Sequence, residues 1–234
     1  MKRTLFLMLA VLLSTLSASA YDFKVDGIAY CYSGSSLSYS RYFYVTTGSD
    51  RNLEHITIPS RVTYRGYTLP VTRISSDAFE NYTGLTSVTI PSTITSIASD
   101  AFSGCTGLTS VTFNAENCAS PSSESDRWFK DCPLTSLVFG NDVKSIPKCI
   151  AEYQTKLKSV TIPNSVTEIG WCAFTGCTGL NSVIIPSSVT SIGDNAFFGC
   201  SNLKYMQVMC ITPPINILFI NSKWYFNMRS IRDL

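Results

Sequence analysis

Residues 180–202, LNSVIIPSSVTSIGDNAFFGCSN, repeat the pattern of residues 157–179, LKSVTIPNSVTEIGWCAFTGCTG, and of residues 85–107, LTSVTIPSTITSIASDAFSGCTG; each copy is 23 residues long. A fixed period of this length leaves little choice of architecture. One such unit cannot bury its own apolar side, so neighbouring units must stack into a solenoid with a continuous core. Equivalent leucines stand at Leu53, Leu85, Leu108, Leu134, Leu157, Leu180 and Leu203, separated by 32, 23, 26, 23, 23 and 23 residues. The excess in the first gap falls at about 64–71, and that in the third falls in a Ser-rich loop at about 114–126.

Within a unit the order of residue types predicts the path of the chain. A short strand turns Leu180, Val183 and Ile185 inward and leaves Ser182 and Ile184 outside. Pro186, which lacks an N–H, stops that strand, and Val189 and Ile192 send a second apolar pair inward. Asp194 is expected to cap a helical turn buried by Ala196 and Phe197, with Cys200 closing the coil. The residue before the cysteine position is Asn81, Gly104, Asp131, Tyr153, Gly176 or Gly199. Gly, Asn and Asp tolerate positive φ, so a left-handed residue is expected there, with Tyr153 the exception. That exception, with Ala151 for Phe and Gln154 for Cys, predicts that the Leu134 coil is the loosest. Units opening L-x-x-V-x-I are those of leucine-rich repeats. The predicted fold is an α/β solenoid of about six 23-residue coils, with parallel strands on one face and short helical turns opposite.

The ends break the period. Lys2 and Arg3 precede an apolar run over 5–13, and Ala18-Ser19-Ala20 supplies a cleavage site, so residues 1–20 read as a secretory signal peptide. The run falls short of the roughly 18 residues a membrane span needs. No membrane helix is therefore expected after cleavage. Removing Lys2 and Arg3 leaves 16 basic against 16 acidic side chains, and no basic patch suggests nucleic acid as a partner. Residues 21–52, rich in aromatics and serine, read as a β-hairpin cap over the first coil, with sugar or partner binding by the tyrosines as the second reading. Tyr64-Arg65-Gly66-Tyr67 reads as a hairpin tip. The solenoid is expected over 53–214, and an irregular tail or cap over 215–234, after Pro213-Pro214.

Nine cysteines in an exported chain raise the question of bridges. Cys105, Cys132, Cys177 and Cys200 share one repeat position, which favours a ladder of small buried side chains. Cys149 and Cys172 are 23 residues apart, on adjacent coils, and are the candidate disulfide, free thiols being the other reading. Cys31, Cys118 and Cys210 lie outside the ladder. There is no C-x-x-C, and no zinc site or cofactor is expected.

Strands ending in IPS, and turns of the form AFxGC, recur in register from Leu53 to about Pro214. They resemble the BspA-like leucine-rich-repeat family, and YDFKVDGIAY with VTYRGYTLPVTRI is similar to that family's N-terminal region. The resemblance implies a secreted or cell-surface protein of attachment or recognition. The implied partners are host extracellular-matrix or cell-surface proteins, or other microbial cells.

Outward strand positions supply the candidate contact surface. The third positions are His55, Ser87, Ser110, Ser136, Ser159, Ser182 and Tyr205, and the fifth are Thr57, Thr89, Thr112, Val138, Thr161, Ile184 and Gln207. Ser and Thr are also ordinary exposed strand residues. Val138, Ile184 and Tyr205 stand out because their neighbours are small and polar. The candidate ligand face is therefore Ser136, Val138, Ser159, Thr161, Ser182, Ile184, Tyr205 and Gln207. An enzyme is the rival class. Any Ser/His or Cys/His pair must use His55, the single histidine, and Asp77, Asp100 and Asp194 read as turn caps rather than an acid/base pair. The sequence is read as non-catalytic; a scaffold rod without a defined ligand is the third class.

Overall fold

The structure, a computed structural model, describes residues 21–34, 41–121 and 126–209. The expected signal peptide at 1–20, the tail at 215–234 and Cys210 lie outside these residues.

The first strand of each coil builds one long sheet. It contains β4 (His55–Thr57), β7 (Ser87–Ile90), β9 (Ser110–Phe113), β10 (Ser136–Phe139), β12 (Ser159–Thr161), β14 (Ser182–Ile185) and β16 (Tyr205–Val208). These seven lie side by side in chain order, all parallel, so the expected stack is present. Alternation explains the packing. In β14 Val183 and Ile185 are buried while Ser182 and Ile184 are exposed, as period-two side chains on a half-buried strand must be.

After Pro91, Pro163 and Pro186 the backbone folds over, closed by Ile94, Val166 and Val189 N–H bonds to the proline carbonyls at 3.3, 3.1 and 3.2 Å. A second short strand follows. β11 (Ser145–Ile146), β13 (Glu168–Ile169) and β15 (Ser191–Ile192) form their own parallel sheet, and β8 (Ser96–Ile97) pairs into the N-terminal sheet. The Ser-rich insertion separates β8 from β11, though Ala119 N–H still bonds Thr95 O at 2.8 Å.

The wall opposite the long sheet corrects the sequence expectation: the described residues contain no helix. The reason lies in the backbone. Five coils carry two left-handed residues four apart: Asp77/Asn81, Asp100/Gly104, Cys149/Tyr153, Cys172/Gly176 and Asn195/Gly199, with φ between 53 and 72°. Only three residues lie between them, too few to propagate a right-handed helix. N–H groups there reach the next coil instead. Ala151 bonds Ala173 O at 2.8 Å, Tyr153 bonds Thr175 O at 2.7 Å and Phe174 bonds Ala196 O at 2.7 Å. The wall is thus a ladder of turns bonded coil to coil. Asp77 and Asp100 are left-handed turn residues, and Asp194 gives its carbonyl to Cys172 N–H at 3.0 Å. Neither arrangement is a helix cap. The position before the cysteine is left-handed in all six units, Tyr153 included.

Phenylalanines stack through the core: Phe79 on Phe102 at 5.2 Å, Phe102 on Phe129 at 5.4 Å and Phe174 on Phe197 at 5.3 Å. Ala151 interrupts that column, and Phe139 meets Phe174 edge-on at 6.5 Å beside the break. The ladder cysteines are buried as expected, but each S–H also donates to a carbonyl of the preceding coil. Cys105 reaches Phe79 O, Cys132 Phe102 O, Cys177 Ala151 O and Cys200 Phe174 O, at 3.0 to 3.2 Å. In the Leu134 coil Gln154 takes over this bond, donating Nε2–H to Phe129 O at 2.9 Å and accepting Leu134 N–H at 3.1 Å. The coil expected to be loosest therefore keeps the ladder and adds a bond.

The N-terminal cap is larger than a hairpin. β1 (Phe23–Val25), β2 (Ile28–Ser33) and β3 (Tyr42–Val45) form an antiparallel meander. β3 then pairs in parallel with β6 (Tyr67–Ile74), which also pairs antiparallel with β5 (Arg61–Tyr64). The insertion of the first coil is thus part of the cap sheet. The β5–β6 turn, Arg65-Gly66, has φ of 50 and 81°, the two left-handed residues of a type I′ hairpin.

Candidate binding face

The outward ladders are built by parallel register. His55 faces Ser87, Ser87 faces Ser110, Ser110 faces Ser136, Ser159 faces Ser182, and Ser182 faces Tyr205. On the fifth-position row, Thr112 faces Val138, Val138 faces Thr161, Thr161 faces Ile184, and Ile184 faces Gln207. All eight candidate residues therefore lie on one face. Within it Val138, Ile184 and Tyr205 are 51, 56 and 55% exposed. Ile184 and Tyr205 are diagonal neighbours on adjacent strands. Val138 sits two strand spacings from Ile184, roughly 10 Å, with Thr161 between them. The arrangement is a row of small hydroxyls with apolar side chains standing out from it.

The same register makes a pair that the sequence reading did not name. His55 Nδ1 lies 2.9 Å from Ser87 Oγ and 3.1 Å from Thr86 Oγ1. Spacing alone could have found it, since both His55 and Ser87 are third-position residues of adjacent coils. It differs from a nucleophile–base site in its surroundings. His55 is exposed, and among the described residues no carboxylate is hydrogen-bonded to its ring. No group of three or more His, Cys, Asp or Glu is placed to hold a metal among the described residues.

Cys149 and Cys172 occupy equivalent left-handed positions on adjacent coils. Cys149 carries an unbridged thiol, buried, with Sγ 4.0 Å from Trp171 O. The candidate disulfide is not formed in this structure. Burial pushes the Cys149 and Cys177 thiols up to about 12 and the Cys200 thiol to about 11. Contact with Cys105, and then burial, holds Cys132 protonated.

No helix among the described residues is long and apolar enough to cross a membrane. The sequence matches the BspA type leucine rich repeat region, in six copies, over residues 40–123, 72–204 and 121–234. Among solved structures, the fold is similar to a leucine-rich cell-surface protein from Faecalibacterium prausnitzii, at 29% identity and a TM-score of 0.51, over 81% of this chain and 55% of that one. It is similar to a leucine-rich repeat protein of T. pallidum at 26% identity and TM-score 0.54, over 81 and 85% of the two chains. The pneumococcal vaccine antigen PcpA, 21% identical with a TM-score of 0.56 over 82 and 51%, shares the fold. The chain thus spans about half the length of the F. prausnitzii protein. No curated protein matches significantly. Six matched copies and a continuous parallel stack lead to one conclusion: the chain belongs to the BspA-type leucine-rich-repeat family.

Proposed function

We propose that this protein is exported and acts, secreted or at the cell surface, in adhesion or recognition through its long-sheet face. Its partners on this reading are host extracellular-matrix or cell-surface proteins, or other microbial cells. The observation that carries the reading is the exposure of Val138, Ile184 and Tyr205 on an otherwise small and polar ladder. A contiguous apolar patch rimmed by polar residues marks an interaction surface, and Ile184 and Tyr205 adjoin on neighbouring strands among hydroxyls. The resemblance to a bacterial leucine-rich cell-surface protein supports the same compartment.

The test is binding to immobilised matrix proteins and to whole cells, comparing the native chain with a Val138→Ser, Ile184→Thr, Tyr205→Ser variant. Saturable binding that drops at least about tenfold in the variant supports recognition, since losing buried apolar contacts of this size removes more than about 1.4 kcal/mol. Binding indifferent to the outward ladder favours the scaffold reading. Among the described residues, the contact on which a catalytic role could rest is that of His55 with Ser87. Hydrolysis of ester or peptide probes that disappears in His55→Ala would be needed to revive it.

A further inference from the structure

We infer that the N-terminal cap holds a second binding site, a cleft for an acidic saccharide, independent of the long-sheet face. The cleft has a volume of about 550 Å³, inside the roughly 300–1,000 Å³ of small-ligand sites. It lies where the β5–β6 hairpin arches back over the meander: Phe23 of β1 stacks on Tyr64 of β5 at 4.0 Å and 5°. Tyr32 and Tyr67, residues 41 and 62% exposed, line the cleft beside Tyr64. The hairpin that supplies Tyr67 and Arg65 is the insertion that breaks the repeat period. A plain end cap would bury its rings; these two tyrosines project from it.

Charge narrows the ligand. Arg41 and Arg65 border the cleft, and among the described residues neither forms an ion pair. Arg65 lies over the Tyr64 ring at 5.2 Å. One carboxylate, Asp22, also lines the cleft and accepts the Tyr32 N–H through Oδ2 at 2.7 Å, so the lining carries two positive side chains against one negative. At Gly34, with φ of 148°, a Cβ would come within 2.8 Å of the Tyr32 hydroxyl and 3.1 Å of Arg41 Cγ, so a side chain there would crowd both. Flat rings with hydroxyl edges match the C–H faces and hydroxyls of a sugar, and two guanidiniums without an ion pair among the described residues match its carboxylate through paired N–H···O bonds. Hexuronate-containing oligosaccharides combine both features.

Calorimetric titration of the full chain with oligogalacturonate and with hyaluronan fragments tests the site, using methyl-esterified oligogalacturonate and a polyglutamate peptide as controls. Saturable binding of an acidic oligosaccharide is expected. The ester should bind at least about tenfold more weakly, as should the Arg41→Gln/Arg65→Gln double variant, because each loses charge-assisted bonds. Tyr67→Ala, at an exposed position, should weaken binding without lowering the melting temperature. The Val138/Ile184/Tyr205 variant should bind the sugar normally, so failure of either site is visible separately. Absence of saturable binding to both acidic sugars overturns the proposal. So does equal binding of the ester or the peptide, or indifference to the arginine and tyrosine variants.

Discussion

Two regions of this molecule, the stack and the N-terminal cap, bury one continuous core by different means. From Leu85 onward, the described coils share a set of bonds, from which the turn of the Leu108 coil departs. Parallel strands run in register, turn N–H groups bond to the next coil, and a cysteine or Gln154 caps a carbonyl behind it. Before Leu85 the chain keeps β4 and the Asp77–Asn81 turn in the stack, and adds to them antiparallel strands, aromatic stacking and a hairpin insertion. The difference follows from how many neighbours a side chain must fit. In the stack a side chain touches equivalents on both sides, so a change must fit two neighbours. The cap has a neighbour on one side only, and there charged and aromatic groups collect at the surface.

That contrast can be broken. Phe174→Ala removes a buried ring stacked on Phe197 and should cost about 3–5 kcal/mol in urea unfolding. Because coils touch only neighbours, hydrogen exchange should accelerate in the Leu157 and Leu180 coils while cap strands keep their protection; equal acceleration in both would show a single cooperative unit. Gln154→Leu is the next largest. It strands Phe129 O and Leu134 N–H inside the stack, about 1–3 kcal/mol for each group left unsatisfied. Gln154→Ala should be no milder, whereas a loosely held coil would show little loss.

Smaller effects sharpen the picture of the turn wall. Gly176 has φ of 69°, and a Cβ there would also overlap the Tyr153 ring. Gly176→Ala should cost about 1–2 kcal/mol from the left-handed backbone alone, more with the clash, and a Tyr153→Gly partner should recover part of it in thermal melts. Least of all is the alkaline response. The Cys177 and Cys200 thiols are raised from an ordinary 9.0 to about 12 and 11. Folding therefore favours their neutral forms. Their contribution is complete below pH 9 and declines as pH rises toward those folded values. Melting temperature should fall over that window, less steeply in Cys177→Ala. Cys149, buried and raised to about 12, should resist alkylation until the chain is denatured.

Much of the stack was legible because period and residue type agree. Leu180, Val183 and Ile185 fix the strand and its inward face, and Asn81, Gly104 and Gly199 mark left-handed turns. The helical turn was misread because a second left-handed residue precedes each of these by four. Cys149 and Cys172, in particular, are not types that signal positive φ. Gln154 was misread as a defect because sequence shows the lost thiol but not the carbonyl it served. The long-sheet face followed from counting strand positions. The cleft did not, because it joins residues around Asp22, Arg41 and Tyr67 that only the folding of the hairpin over the meander brings together.

On the proposed reading the long-sheet face makes contact with a partner. The most direct measurement is the affinity of the chain for matrix proteins that retain it, compared with that of the folded Val138→Ser, Ile184→Thr, Tyr205→Ser variant. A dissociation constant at least about tenfold weaker, with an unchanged melting temperature, is the predicted result. Equal affinity of the two proteins would contradict it.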